Sequence, residues 1–182
     1  MIKPWTVLSQ RYLLRRWWMN VREDQVRLPD GTVLDEFHVV EYPDWACVLC
    51  LDTNDQYVLV RQYRHGIQRV CLELPAGAVE PGEPPLHTAQ RELLEETGYE
   101  APSWHALGAV APEPSKHTNQ AHLFVAAGAT RVQAPRLDHS EDLAVVTLTP
   151  AALRAAVDRG DLVHAVHRLA LALAADAGLL PS

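Results

Sequence analysis

The sequence predicts one α/β domain preceded by a β-rich N-terminal section. Its length comes first: 182 residues, 48% apolar and 21% charged, can enclose one hydrophobic core and are few for two. The first half is a series of short apolar or alternating segments broken by P-D-G, T-N-D and L-P-A-G, the punctuation of strands. From Pro84 the apolar residues change to helical spacing, and the C-terminal stretch repeats that spacing.

Taken in order, LLRRWWMNVREDQVRL, the PDG turn and TVLDEFHVVEY read as a long hairpin or meander. WACVLCLD and QYVLVRQYR read as apolar strands, and VCLELPAG as another that ends where Pro75 and Gly77 force a turn. PPLHTAQRELLEETG has prolines where a first helical turn tolerates them. Leu86, Ala89, Leu93 and Leu94 follow at helical spacing, and Gly98 supplies the stop. SWHALGAVAP, AHLFVAAGA and LAVVTLTP read as strands, with EPSKHTNQ a polar loop between the first two. AALRAAVDRG and VHAVHRLALALAADAG read as helices, the second apolar enough to pack on the sheet. No repeat or linker interrupts the chain, so residues 1–44 form the N-terminal β-rich segment and 45–182 the main domain.

A net charge of −7 argues against binding nucleic acid along its phosphates. It leaves room for a small anionic ligand, because metal ions supply positive charge locally. No apolar run is long enough to span a bilayer, and the N-terminus lacks the apolar core of a signal peptide. The expected setting is cytoplasmic, without a membrane or nucleic-acid partner. Cys47 and Cys50 form a C-x-x-C inside an apolar strand, where i and i+3 point to opposite faces, so with Cys71 they read as buried thiols.

Glu92, Glu95 and Glu96 project from one face of the expected helix. Like charges at that spacing repel, and clustered carboxylate oxygens suit magnesium or manganese better than zinc. Alone, E-x-x-E-E is commonly a solvated acidic face. The preceding turn changes this. Gly77, Glu83, Arg91 and R-E-L-L-E-E-T-G-Y match G-x5-E-x7-R-E-U-x-E-E-x-G-U, with U aliphatic, and only Tyr99 departs mildly at the last position. That pattern is the Nudix box, and the chain resembles the Nudix hydrolases.

The resemblance implies an α/β/α sandwich with a mixed sheet, an N-terminal β-rich subdomain, and hydrolysis of a nucleoside diphosphate linked to another group. It assigns Glu92, Glu95, Glu96 and the carbonyl of Ala76 as ligands of Mg2+, with Mn2+ as a substitute, and gives Glu95 a catalytic part as well. Gly77, Glu83 and Arg91 support the site. VRQYRHG followed by LELPAG resembles the ADP-ribose pyrophosphatase branch, which implies that Arg64 reaches a substrate phosphate and Glu73 lines the metal site. The same branch implies a homodimer through the N-terminal section, with Trp18 and Phe37 clamping the nucleobase. Trp5, Trp17 and Trp18 add aromatic area that so short a segment does not bury alone. HVVEY stands where some relatives carry an arginine. LDHSEDLAVV resembles the branch's acidic loop, where Glu141 is the preferred general base beside His139 and Asp142. The implied reaction is ADP-ribose to AMP and ribose 5-phosphate. GDP-mannose or another nucleotide sugar is the close alternative, and a non-catalytic Nudix-fold sensor the distant one.

Overall fold

The computed structural model describes residues 1–139 and 142–181. They fall into two compact units, Met1–Asp44 with Ala111–Gln120, and Trp45–Val110 with Ala121–Ser182.

The first unit is built on an antiparallel sheet of β1 (Thr6–Arg15), β2 (Asn20–Arg27) and β3 (Val33–Glu41), in that order. Of the two readings, hairpin or meander, the structure has the meander: LLRRWWMNVREDQVRL spans the end of β1 and all of β2. The Arg16 amide donates to the Met19 carbonyl at 2.9 Å, closing a turn around Trp17 and Trp18. None of the usual turn residues marks that break until Asn20. The PDG turn is where expected, with Gly31 at φ 91°. Arg22 ties the sheet together, donating to Asp24 at 3.0 Å and also pairing with Glu41. The polar loop docks on β3: the Val40 amide donates to the Lys116 carbonyl at 2.9 Å, and Asn119 Nδ2 donates to the Pro43 carbonyl at 3.1 Å. β1 is exposed along almost its whole length, Val7, Leu8, Tyr12 and Leu13 included.

The second unit is a mixed sheet. Its central path runs β11 (Leu143–Leu148), β5 (Tyr57–Arg64), β4 (Trp45–Asp52), β10 (Ala121–Arg131) and β8 (Tyr99–Glu100). Beside that path β6 (Arg69–Glu73) pairs with β5, β7 (Ala76–Ala78) with β4, and β9 (Ser103–Val110) with β10. β4 and β10 run parallel and the other pairs antiparallel. β4 explains the layering. Its residues alternate between faces, and both faces are buried. Cys47, Leu49 and Leu51 join the cluster with Leu153 and Ala156 of α2 (Pro150–Asp158) and Val166, Ala170 and Ala174 of α3 (Ala165–Asp176). Ala46, Val48 and Cys50 join the opposite cluster with Ala89 and Leu93 of α1 (Pro85–Thr97). The result is the expected α/β/α sandwich.

α1 starts with proline at its first position and stops at Gly98, whose φ of 76° is left-handed and whose amide donates to the Leu94 carbonyl. A Cβ on Gly98 would lie 2.1 Å from the Gln133 carbonyl oxygen, so glycine is required twice over. α3 begins at Ala165 rather than Val163, because the His164 side chain accepts from the Val166 amide and serves as its N-cap. β7, β8 and a 3-10 turn at His65–Ile67 are additions to the sequence reading. The three cysteines are free and buried, and burial pushes the Cys47 and Cys50 thiols up to about 12. Among the described residues, no helix is long and apolar enough to cross a membrane.

Candidate active site

The box residues of the second unit lie on β7, the loop that follows it, and α1. The Ala76 amide donates to Glu96 Oε2 at 3.0 Å, which fastens the turn to the helix. Gly77 then runs so close to α1 that an added Cβ would lie 1.9 Å from Glu92 Oε1. Glycine is therefore the residue that lets this backbone approach a carboxylate. Glu92 and Glu96 are buried, while Glu95 keeps 40% of its side chain exposed.

Arg91 is the counter-charge at the centre. Its guanidinium donates to Glu92 at 2.7 Å, to Glu95 at 3.1 Å, to both oxygens of Glu83 at 3.2 Å, and to the Ala78 carbonyl. Burial alone would lower the Arg91 pKa, but the carboxylates outweigh it and raise the value. Glu83 responds in the opposite sense. The Arg91 hydrogen bonds, helped by Thr88 and the Glu80 amide against partial desolvation, hold it down to about 2. Glu83 and Arg91 thus form a charged brace that orients Glu92 and Glu95.

Arg64 and Glu73 form a second ion pair. Val60, Gln62 and Arg64 share one face of β5 by alternation, and Glu73 lies opposite Val60 in the β5–β6 register. Arg64 grips the buried Glu73 carboxylate with two hydrogen bonds of 2.8 and 2.6 Å. That bidentate geometry fixes the plane of a guanidinium that stays half exposed, at 47%. The Glu73 hydrogen bonds lead in raising the Arg64 pKa.

Arg64, Glu73, Ala76 and Gly77 line one cavity of about 710 Å³, and Trp45, His164 and His167 line it with them. Sequence reasoning missed those last three. The available signal was a pair of histidines, three residues apart, at the start of an otherwise apolar helix. Trp18 and Phe37 belong to the other unit: Phe37 meets Trp5 edge-on at 5.8 Å, and Trp18 lies exposed in the β1–β2 turn. His139 and Asp142 are exposed, and Glu141 lies outside the described residues.

The α1 donors are all oxygen, anionic and partly desolvated, and a glycine backbone passes beside them. That chemistry fits a hard divalent cation and does not fit zinc. Among the described residues, Glu23, Glu36 and His38 form another trio of ligand-type groups, with atoms all within 4.8 Å of one another. It is a surface cluster on β2 and β3.

Comparison with known proteins agrees with this geometry. The NUDIX domain model matches residues 41–166, and the model for the nucleoside diphosphate sugar hydrolase N-terminal domain matches residues 5–40. An ADP-ribose pyrophosphatase of Mycobacterium tuberculosis is 34% identical over 148 residues, 80% of this chain and 71% of that one. A methanol dehydrogenase activator of Bacillus methanolicus is 35% identical over 132 residues, 72% of this chain and 71% of the relative. An ADP-ribose pyrophosphatase of Bacillus subtilis is 33% identical over 127 residues, 69% and 68% of the two chains. The crystal structure of an ADP compounds hydrolase superposes with a TM-score of 0.85 over 99% of both chains; at 21% identity that likeness speaks for the fold alone. Box spacing, fold and relatives converge: the chain belongs to the NUDIX family, and it is a Nudix hydrolase.

Proposed function

We propose that the protein hydrolyses the pyrophosphate bond of a nucleoside diphosphate sugar, with ADP-ribose cleaved to AMP and ribose 5-phosphate. The observation that carries this reading is the half-exposed Arg64 guanidinium, locked by Glu73, in one cavity with the Ala76–Gly77 turn. A planar cation beside a cation-binding turn suits two linked phosphates. Relatives named ADP-ribose pyrophosphatase support the choice of sugar nucleotide.

In this proposal Glu92, Glu95 and Glu96 hold Mg2+ together with the Ala76 carbonyl. A magnesium ion there, or manganese in its place, supplies charge neutralisation on the diphosphate and lowers the pKa of the attacking water. Arg64 binds phosphate oxygens and Glu73 fixes its plane. Arg91 and Glu83 hold the carboxylates of Glu92 and Glu95 in orientation. Glu141 takes the proton of the attacking water, with Glu95 as the second catalytic carboxylate. The water oxygen bonds to one phosphorus, the bridging P–O bond breaks, and a nucleoside monophosphate and a sugar phosphate leave. Residues 1–44 form a homodimer contact, and Trp18 and Phe37 bind the nucleobase through their ring faces.

The test is product analysis on ADP-ribose, other ADP-sugars, GDP-mannose, UDP-glucose and dinucleotides with Mg2+ and with Mn2+, beside Glu96→Gln. Preferred turnover of ADP-ribose to AMP and ribose 5-phosphate, lost in the variant, is the expected result. Preference for GDP-mannose would overturn the choice of substrate. Full activity of Glu96→Gln would overturn the site.

A further inference from the structure

Two histidines share the cavity lining with Arg64. His167 is 1% exposed, and its Nδ1 accepts the Leu74 amide at 3.3 Å. With Nδ1 an acceptor, the proton of the neutral ring sits on Nε2. Nε2 is buried and has no hydrogen-bond partner among the described residues. No ligand oxygen reaches a nitrogen so buried, and His167 instead backs the His164 ring. His164 repeats the arrangement: its Nδ1 accepts the Val166 amide at 3.2 Å, so its proton is also on Nε2. The two rings stack with centroids 4.3 Å apart and 18° between planes, and both line the cavity.

We infer that His164, held by its stack on His167, donates through Nε2–H to a hydroxyl oxygen of the sugar half of the substrate, and so helps to set specificity for it. This rests on the nucleoside diphosphate sugar reading above. The chemistry of the wall selects a sugar over the other parts of such a molecule. Burial leads in lowering both imidazole pKa values, so both are uncharged at neutral pH and suit a hydroxyl better than a phosphate. The histidines stack on each other, and Trp45 meets them edge-on at 5.3 and 5.9 Å. Ile67 and Val163, which also line the cavity, are apolar and can pack the carbon face of a sugar ring. The diphosphate would sit at Arg64 and the Gly77 turn of the same cavity, which puts the attached sugar next to this wall.

Asparagine substitutions test this without removing the backbone contacts. In His167→Asn and His164→Asn the amide oxygen can replace Nδ1 as acceptor for Leu74 and Val166, while the Nε2 donor is lost. Steady-state kinetics would compare ADP-ribose with an adenosine diphosphate ester whose sugar is replaced by a methyl group. The expected result is a rise in KM for ADP-ribose in His164→Asn, with a loss in kcat/KM about tenfold greater than on the methyl ester, and a smaller selective loss in His167→Asn. Equal losses on both substrates would make the histidines supports of the Leu74 turn and overturn the inference, as would no loss on either. If the wild type turns over neither compound, the functional reading fails on its own. Calorimetric titration with ADP-ribose then decides the subsite: binding about tenfold weaker in His164→Asn upholds it. Equal binding, or none to the wild type, overturns it.

Discussion

A methyl group on Gly77 would stand 1.9 Å from a Glu92 oxygen that Arg91 holds at 2.7 Å. Gly77→Ala must therefore move either a backbone turn or a carboxylate that a cation would share. It is expected to reduce kcat/KM by on the order of a hundredfold, while far-UV circular dichroism stays that of the wild type. A wild-type rate in this variant would mean that the close approach has no part in the reaction. Arg91 raises a different issue, the replacement of a planar fork by a point charge. Arg91→Lys cannot serve Glu83, Glu92 and Glu95 together and should lower activity even where the fold persists. Glu83 gives this brace a pH signature. Its folded value of about 2 lies below the reference 4.5, so its contribution is complete above 4.5 and is lost as pH falls from there through about 2. Denaturant titrations in chelator between about pH 6 and pH 2 should show wild-type stability falling more steeply than that of Glu83→Gln. Parallel curves would mean that Glu83 gains nothing from Arg91.

Among elements, α1 was the most legible and β7 the least. α1 announced itself through Ala89 and Leu93 inward, the glutamates together on one face, Pro85 at the start and Gly98 at the end. Each has a local cause that acts without the rest of the fold. Leu93 is fully buried against Ala46, Val48 and Cys50 of β4, so Leu93→Ala should cost about 2–5 kcal/mol by chemical denaturation. A loss well under 1 kcal/mol would contradict the packing described. The strand β7 is only Ala76–Ala78 and exists because β4 offers Trp45, Ala46 and Cys47 as pairing partners; no local pattern encodes that. The break between β1 and β2 was hidden for a related reason. R-R-W-W-M has no turn chemistry, and the hairpin register sets the turn. The site divides in the same way. The box glutamates, Gly77, Glu83 and Arg91 lie in one sequence segment and were legible there. His164 and His167 reach the cavity only because α3 packs on the sheet beside Trp45, which no single-segment reading reveals.

At the scale of the whole molecule, the N-terminal unit presents more apolar surface than a solitary small sheet should. Trp5, Leu8, Tyr12, Leu13, Trp17 and Trp18 are all exposed, on and around a strand with one free edge. The homodimer proposed above would cover that surface. Light scattering on the full chain is expected to give twice the 20.3 kDa monomer mass, with charged substitutions at Leu8 and Leu13 shifting it toward monomer. A monomer at all concentrations would remove the dimer from the account and leave the aromatic surface without a role. The central claim concerns the cation, and it is tested most directly by titrating Mn2+ into wild-type protein, Glu92→Gln and Glu96→Gln, with electron paramagnetic resonance reporting free ion. The account predicts saturable binding to the wild type, weaker by about tenfold or more in each variant. Undiminished binding in both variants would put the ion elsewhere and contradict the assignment of the α1 carboxylates.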